Sequence, residues 1–250
     1  MEGPSLFLAA EQLAPLVGQK IMEVSGNTKI GKERLLKQKI LAIFSYGKYL
    51  FFQFETFAMR VHFLLFGSFE ATIKGIKVTG DYPKKARTPR LAFQCKNGHV
   101  ELYSCSIRFI EESDARSLCD YTIDIMSAEF DNKKAYNHLQ VLAGTEIADA
   151  LLDQTLFLGV GNIIKNEVLH KAKVLPTRPI QDLSPTRLKS LIALTKSYVQ
   201  QFYEWRKHFE LRKHYQIYRQ RTCKRCSQPV TKNKTGLRQR MSYVCAHCQK

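Results

Sequence analysis

The chain has 250 residues, 44% of them hydrophobic, enough for two domains of ordinary size and at least one sizeable core. Its net charge of +17, from 39 basic and 22 acidic residues, favours a polyanion as partner. No basic-flanked apolar leader opens the chain and no apolar run reaches a membrane span, so the sequence argues against secretion and against a membrane protein.

Taken in chain order, residues 5–17 (SLFLAAEQLAPLV) have helical spacing interrupted by Pro15, so a helix must end or kink near Ala14. Residues 41–54 (LAIFSYGKYLFFQF) are rich in β-branched and aromatic residues, and Tyr46-Gly47-Lys48 suits the turn of a hairpin. Short strands continue over residues 60–73, 90–93 and 99–109, punctuated by Gly, Pro and Asn, and together they suggest a sandwich or small barrel. The pattern stops at the polar ESDARS run, which puts a boundary within residues 113–121.

The second half reads as helical. Residues 132–143, 146–152, 162–170 and 185–205 repeat their apolar positions near every 3.6 residues. Thr145 can cap the second of these helices, and Ser184 followed by Pro185 opens the last. Leu158-Gly159-Val160-Gly161-Asn162 joins two of them. Its glycines permit close backbone approach and Asn162 can cap the helix that follows, whose free N–H groups form a phosphate seat. The same five residues also read as an ordinary helical corner.

The charge is uneven: residues 201–250 carry 13 Lys or Arg against two acids. Aromatics interleave with those charges, which argues for a folded segment. Within it, Cys223-Lys-Arg-Cys226 is followed after eighteen residues by Cys245-Ala-His-Cys248. Two such pairs place four sulfurs around one tetrahedral ion, the spacing of a single structural zinc. The intervening loop carries Lys232, Lys234, Arg238 and Arg240 and no acid, which suits it to phosphates. The other three cysteines, Cys95, Cys105 and Cys119, read as small core residues of a reduced, intracellular protein.

Four of these segments, in this order, resemble the formamidopyrimidine-DNA glycosylase / endonuclease VIII family of base-excision repair enzymes. Met1-Glu2-Gly3-Pro4 is similar to the family's Pro-Glu-Gly-Pro start. Lys48 matches its hairpin lysine, residues 153–167 its helix–two-turn–helix signature, and residues 239–250 its zinc-finger hairpin with the arginine at Arg240. The resemblance implies an α+β fold of two domains: an N-terminal helix plus β-sandwich over residues 1–118, then helices over 119–218 ending in a zinc finger at 219–250.

The resemblance further implies a bifunctional glycosylase with β/δ lyase activity that flips an oxidised base out of double-stranded DNA and also acts on abasic sites. The enzyme would be a monomer, in the cytoplasm or nucleoid of a bacterium or the nucleus of a eukaryote. A base inside a duplex is out of reach, so flipping is required. The N-terminal amine, here that of Met1, would attack the sugar C1′ and form a Schiff base. Glu2 would shuttle protons, while Lys48 and Arg240 would hold the flanking phosphates and Asn162 would add a polar contact. Leu65 and Phe66 stand where the family inserts wedges, and Arg108 and Phe109 resemble its second insertion loop.

The sequence departs from the family's pattern at position 1, at position 5 and in the spacing of eighteen between the cysteine pairs, slightly longer than is typical. Methionine stands where the family has its nucleophilic proline. Three readings stay open: a primary-amine nucleophile at Met1, a catalytically impaired damage binder, or a chain whose first residue is not that of the natural protein. Ser5 replaces a second glutamate, which puts more weight on Glu2. The short connection between Trp205 and Cys223 points to oxidised pyrimidines as substrates.

Overall fold

The computed structural model describes residues 1–80 and 87–250. The chain divides into two compact units, residues 1–119 and residues 120–250.

The first unit opens with α1 (Gly3–Leu13), which carries Pro4 in its first turn and passes at Ala14 into a single 3-10 turn. Pro15 enforces that change, as the sequence expects. The strands are β1 (Ile21–Ser25), β2 (Ala42–Tyr46), β3 (Tyr49–Gln53), β4 (Ala58–Ile73), β5 (Ile76–Thr79), β6 (Leu91–Cys95) and β7 (Gly98–Ile110). They form one antiparallel sheet in the order β1-β6-β7-β4-β3-β2, with β5 also on β4.

The sheet folds into a sandwich because β4 and β7 are long and serve both halves. The start of β4 pairs with β3, and its end pairs with β5 and with the start of β7, which in turn carries β6. Between Phe63 and Ser68 the β4–β7 register slips at a bulge, the device that bends a ribbon. Phe52 of β3 and Phe93 of β6 meet edge to face at 5.5 Å across the enclosed core. Leu6, Leu13, Leu50, Val61 and Leu102 join them there with no exposed surface. Each such side chain contributes about 1.5–3 kcal/mol by burial. Cys95 and Cys105 lie in this core, and Cys119 packs at its edge on a smaller cluster around Phe44 and Phe51.

The second unit holds α2 (Asn132–Val141), α3 (Ile147–Leu151), α4 (Asn162–Lys171), α5 (Pro185–Lys207) and a hairpin of β8 (Thr231–Thr235) and β9 (Arg240–Val244). Asp131 caps α2 by accepting the Lys133 and Lys134 amides, and Ser184 caps α5 by accepting that of Arg187.

Two expected caps differ. Thr145 does not cap α3, whose flanking residue is Glu146 without a side-chain bond. The Thr145 carbonyl instead accepts the Ile180 amide, and Glu146 bridges to Pro179, which keeps this stretch extended. Asn162 is not a cap either: Gly161 holds that position, and Asn162 is the first helical residue. Among the described residues, no helix is long and apolar enough to cross a membrane.

Candidate nucleic-acid interface

In the first unit the candidate catalytic residue Lys48 lies in the β2–β3 turn. Gly47 takes φ +54, as the first central residue of this two-residue turn demands, and Lys48 follows it half-buried. The β3–β4 ladder sets His62 opposite Tyr49, ring against ring at 5.1 Å. The His62 Nδ1–H donates to the Lys48 carbonyl at 3.2 Å. A carbonyl can only accept, so Nδ1 carries the proton and Nε2 keeps its lone pair. Burial lowers the His62 pKa, and the positive charges of Lys48, the chain's amino terminus and Arg60 lower it further.

Those charges place the Met1 amine and Lys48 within electrostatic reach of one imidazole. The Met1 side chain packs against the main core, which anchors residue 1. Glu2 is buried at the start of α1, where its carbonyl accepts the Ser5 and Leu6 amides. Met1 and Glu2 are therefore packed against the body of the unit, and Lys48 is half-buried at its turn. Sequence reasoning missed His62. Its signal, a lone polar residue in the apolar run VHFLLF, reads equally as an ordinary outward strand residue.

The bulge in β4 gives the apolar run its use. Burial alternates over residues 59–63 and again over 69–73 of β4, but between them Leu64, Leu65 and Phe66 are 51%, 66% and 58% exposed in succession. Gly67 closes the bulge, where a Cβ would strike the Ser104 carbonyl and the Leu64 amide. Arg87 braces it by donating to the Phe66 carbonyl at 3.1 Å and the Ser104 hydroxyl at 2.9 Å. Arg108 and Phe109 lie inside β7 rather than on a loop, because the ladder with β4 runs on to Ile110. Arg108 stands opposite Arg60, and the Phe109 ring meets Phe57 edge on at 5.3 Å with the Arg34 guanidinium above it.

In the second unit the loop before α4 is stitched by Gln154. Its side chain donates to the Leu152 and Val160 carbonyls and accepts the amide of Gly159, which takes φ +100. From α4, Asn162, Lys165 and Asn166 all donate to the Met241 carbonyl, at 3.0, 3.2 and 3.2 Å. Lys165, with no exposed surface, also donates to the Ser242 hydroxyl at 2.7 Å, and Asn166 accepts the Tyr243 amide at 2.7 Å. The α4 helix thus grips β9 just beyond Arg240, the exposed first residue of that strand. The buried Asn162 Oδ1 has no partner among the described residues.

Two carboxylates complete the scaffold. Glu167 accepts the Gln216, Ile217 and Tyr218 amides, although burial pushes its pKa up. Asp149 of α3 accepts the amides of Leu237 and Arg238 in the β8–β9 turn, at 2.5 and 3.4 Å. The turn residue Gly236 has φ +69, and a Cβ there would land on the Asp149 carboxylate. Sequence reasoning did not find Asp149, Lys165 or Asn166, whose partners lie more than seventy residues away.

The four cysteines converge. Cys223, Cys226, Cys245 and Cys248 offer sulfurs all within 4.8 Å of one another, with contacts of 3.9, 3.5 and 3.4 Å among them. Tetrahedral zinc with about 2.3 Å bonds needs neighbouring sulfurs about 3.8 Å apart, so the donor set fits it. The buried ring of His170 touches Cys223 Sγ through Nε2 at 3.1 Å, and Arg225 ties the knuckle to α4 through the His170 carbonyl at 3.0 Å.

Residues 121–208 match the family model for the formamidopyrimidine-DNA glycosylase H2TH domain. The chain is 31% identical over 82% of its length to human endonuclease 8-like 3. It spans only 33% of that relative's length. Against endonuclease 8 of Salmonella arizonae it is 25% identical, covering 100% of this chain and 99% of the relative. The crystal structure of the Lactococcus lactis formamidopyrimidine-DNA glycosylase, non-covalently bound to DNA containing an AP site, has the same fold. The TM-score is 0.84 over the whole of both chains, at 22% identity.

Proposed function

The chain belongs to the formamidopyrimidine-DNA glycosylase / endonuclease VIII family, and we propose that it is a base-excision-repair DNA glycosylase and abasic-site lyase working on double-stranded DNA. The observation that supports this reading is the β2–β3 turn, where the His62 ring donates to the Lys48 carbonyl, together with a Glu2 buried next to residue 1 in the chain. Lys48 and the His62 ring at this turn suit a sugar-phosphate, and the amine of residue 1 is the group that Schiff-base chemistry needs.

In this reading the 1–118 region is catalytic, 119–218 binds DNA and 219–250 is the finger. The amine of residue 1 attacks C1′ of the flipped nucleotide, the C1′–base bond breaks, and the base leaves with a proton. Glu2 relays protons at the opening sugar, and the resulting Schiff base leads to strand cleavage by β/δ elimination. Lys48 and His62 hold a phosphate next to the lesion. Leu65 and Phe66 fill the vacated stack, and Arg108 and Phe109 act as a second DNA-contacting element. Arg240 grips a second phosphate, while Asn162 holds the strand that bears it. One structural zinc shapes the finger and takes no part in the chemistry. Oxidised pyrimidines are the proposed substrates, on the strength of the short stretch between α5 and Cys223.

Borohydride trapping on an abasic-site duplex tests the reaction: a covalent adduct at residue 1 is expected, and its absence in zinc-loaded protein would sink the proposal. A second reading, a damaged-DNA binder without catalysis, is favoured by the methionine at position 1 and predicts binding without an adduct. Comparing release of thymine glycol and 8-oxoguanine tests the substrate class, and faster release of the purine would overturn it.

A further inference from the structure

We propose that His170 is an outer partner of the metal centre: its Nε2–H donates to the Cys223 thiolate, fixes that sulfur in the ligand set and ties the metal to helix α4. This role rests on the reading that the four cysteines hold one zinc, and it stands apart from the catalytic reading.

Four thiolate charges against the two of zinc leave the centre with an excess of negative charge. Cys223 and Cys245 are buried and share a core cluster with Ile217, against which Val230 and Tyr243 pack. A negative charge buried among apolar groups needs hydrogen-bond donors.

His170 supplies one from the last turn of α4. The residue is 1% exposed, and its Nε2 lies 3.1 Å from Cys223 Sγ. Among the described residues, the group whose ligand atoms all lie within 4.8 Å of one another is the four cysteines, without His170. The ring therefore stands behind a ligand and is not one itself.

The chemistry of the sulfur fixes the ring's tautomer. A metal-bound thiolate carries no proton and can only accept, so the bond requires the proton on Nε2. The opposite tautomer sets a nitrogen lone pair against a sulfur lone pair. It also places an N–H at Nδ1, which is buried and has no partner among the described residues. Both tautomers leave Nδ1 unmatched, and only the Nε2–H form gains a bond.

The same contact joins the metal to the helix. Arg225, inside the first cysteine knuckle, donates to the His170 carbonyl at 3.0 Å and to the Lys171 carbonyl at 3.4 Å. Beside the second knuckle, Gln249 accepts the Cys245 amide at 3.0 Å and donates to the Val174 carbonyl at 2.8 Å. Both knuckles are thus seated at the C-terminal end of α4, and Asn162 opens its other end.

The test uses the intact protein loaded with cobalt(II), whose sulfur-to-metal charge-transfer absorption reports on the thiolates. A hydrogen bond lowers the energy of the sulfur lone pair, so its loss moves the band to longer wavelength. H170F, which fills the space without a donor, should show that shift. It should also bind zinc about 10–100-fold more weakly in a chelator competition, as loss of an outer partner does. H170Q, whose amide N–H reaches about as far as Nε2–H, should restore the wild-type band and most of the affinity. In the zinc-loaded wild type, NMR of the ring nitrogens should place the proton on Nε2.

A zinc-loaded ring protonated at Nδ1 overturns the proposal. So does H170F with the band and affinity of the wild type, or H170Q no better than H170F. If H170F does not fold, H170Q and the wild-type tautomer decide. Wild-type protein that takes up neither zinc nor cobalt removes the metal reading and the role of His170 together, whereas uptake with an unchanged H170F band removes the role of His170 alone.

Discussion

The carboxylate of Asp149 accepts the amide of Leu237 at 2.5 Å, fixing the turn of the finger hairpin to a helix 88 residues earlier in the chain. Three residues after that turn contact comes Arg240, the residue assigned to a phosphate. Asp149→Ala removes the acceptor for two amides and should cost about 1–3 kcal/mol of stability. Gly236→Ala should cost at least as much, since the added methyl meets that carboxylate in a left-handed backbone. Thermal unfolding checks both. Arg240→Ala, by contrast, should leave the melting temperature unchanged and weaken lesion binding and turnover.

Removing the metal should disorder the finger first. Four thiolates within 4.8 Å of one another hold their geometry only around a cation. We expect one zinc per chain by elemental analysis, and loss of lesion-DNA binding after chelation or in Cys248→Ala.

The three exposed apolar residues at the β4 bulge should act only where a stack must be broken. Leu65→Ala and Phe66→Ala should slow base release from duplex DNA by about tenfold to a hundredfold, since unstacking costs a few kcal/mol. Cleavage of a single-stranded oligonucleotide already carrying an abasic site should change little. Equal losses on both substrates would remove these residues from the flipping step.

His62 sets a pH dependence. Burial and the nearby cations hold its pKa below 6.5, so it is neutral at pH 7 in the free protein. A histidine depressed in this way contributes stability above pH 6.5 that is lost as pH falls through its folded pKa. A phosphate at Nε2 favours the protonated ring, so DNA binding should take up a proton and tighten as pH falls below 6.5. His62→Gln should flatten that dependence, measured by binding in buffers of matched ionic strength.

Much of this fold is legible because its determinants are local. Pro15 ends α1, Gly47 makes the hairpin turn, Ser184 and Pro185 start α5, and the cysteine pairs draw their own knuckles. The two corrected caps show where locality fails. Thr145 and Asn162 have the chemistry of cap residues, but Ile180 and Met241, distant in sequence, claim their polar atoms or their backbone. The β4 bulge itself is not local either. By residue type alone Leu64, Leu65 and Phe66 read as core, the family resemblance marks Leu65 and Phe66 as wedges, and the slipped ladder with β7 turns all three outward.

The sequence by itself determined the element order, the metal-ligand set and the family, since each depends on spacing along the chain. Tertiary structure decided which groups meet: His62 with Lys48, Lys165 with Ser242, Asp149 with Leu237. Those contacts join residues 14, 77 and 88 positions apart. A hydrogen bond acts over about 3 Å, so no local pattern encodes its partner until the chain has packed.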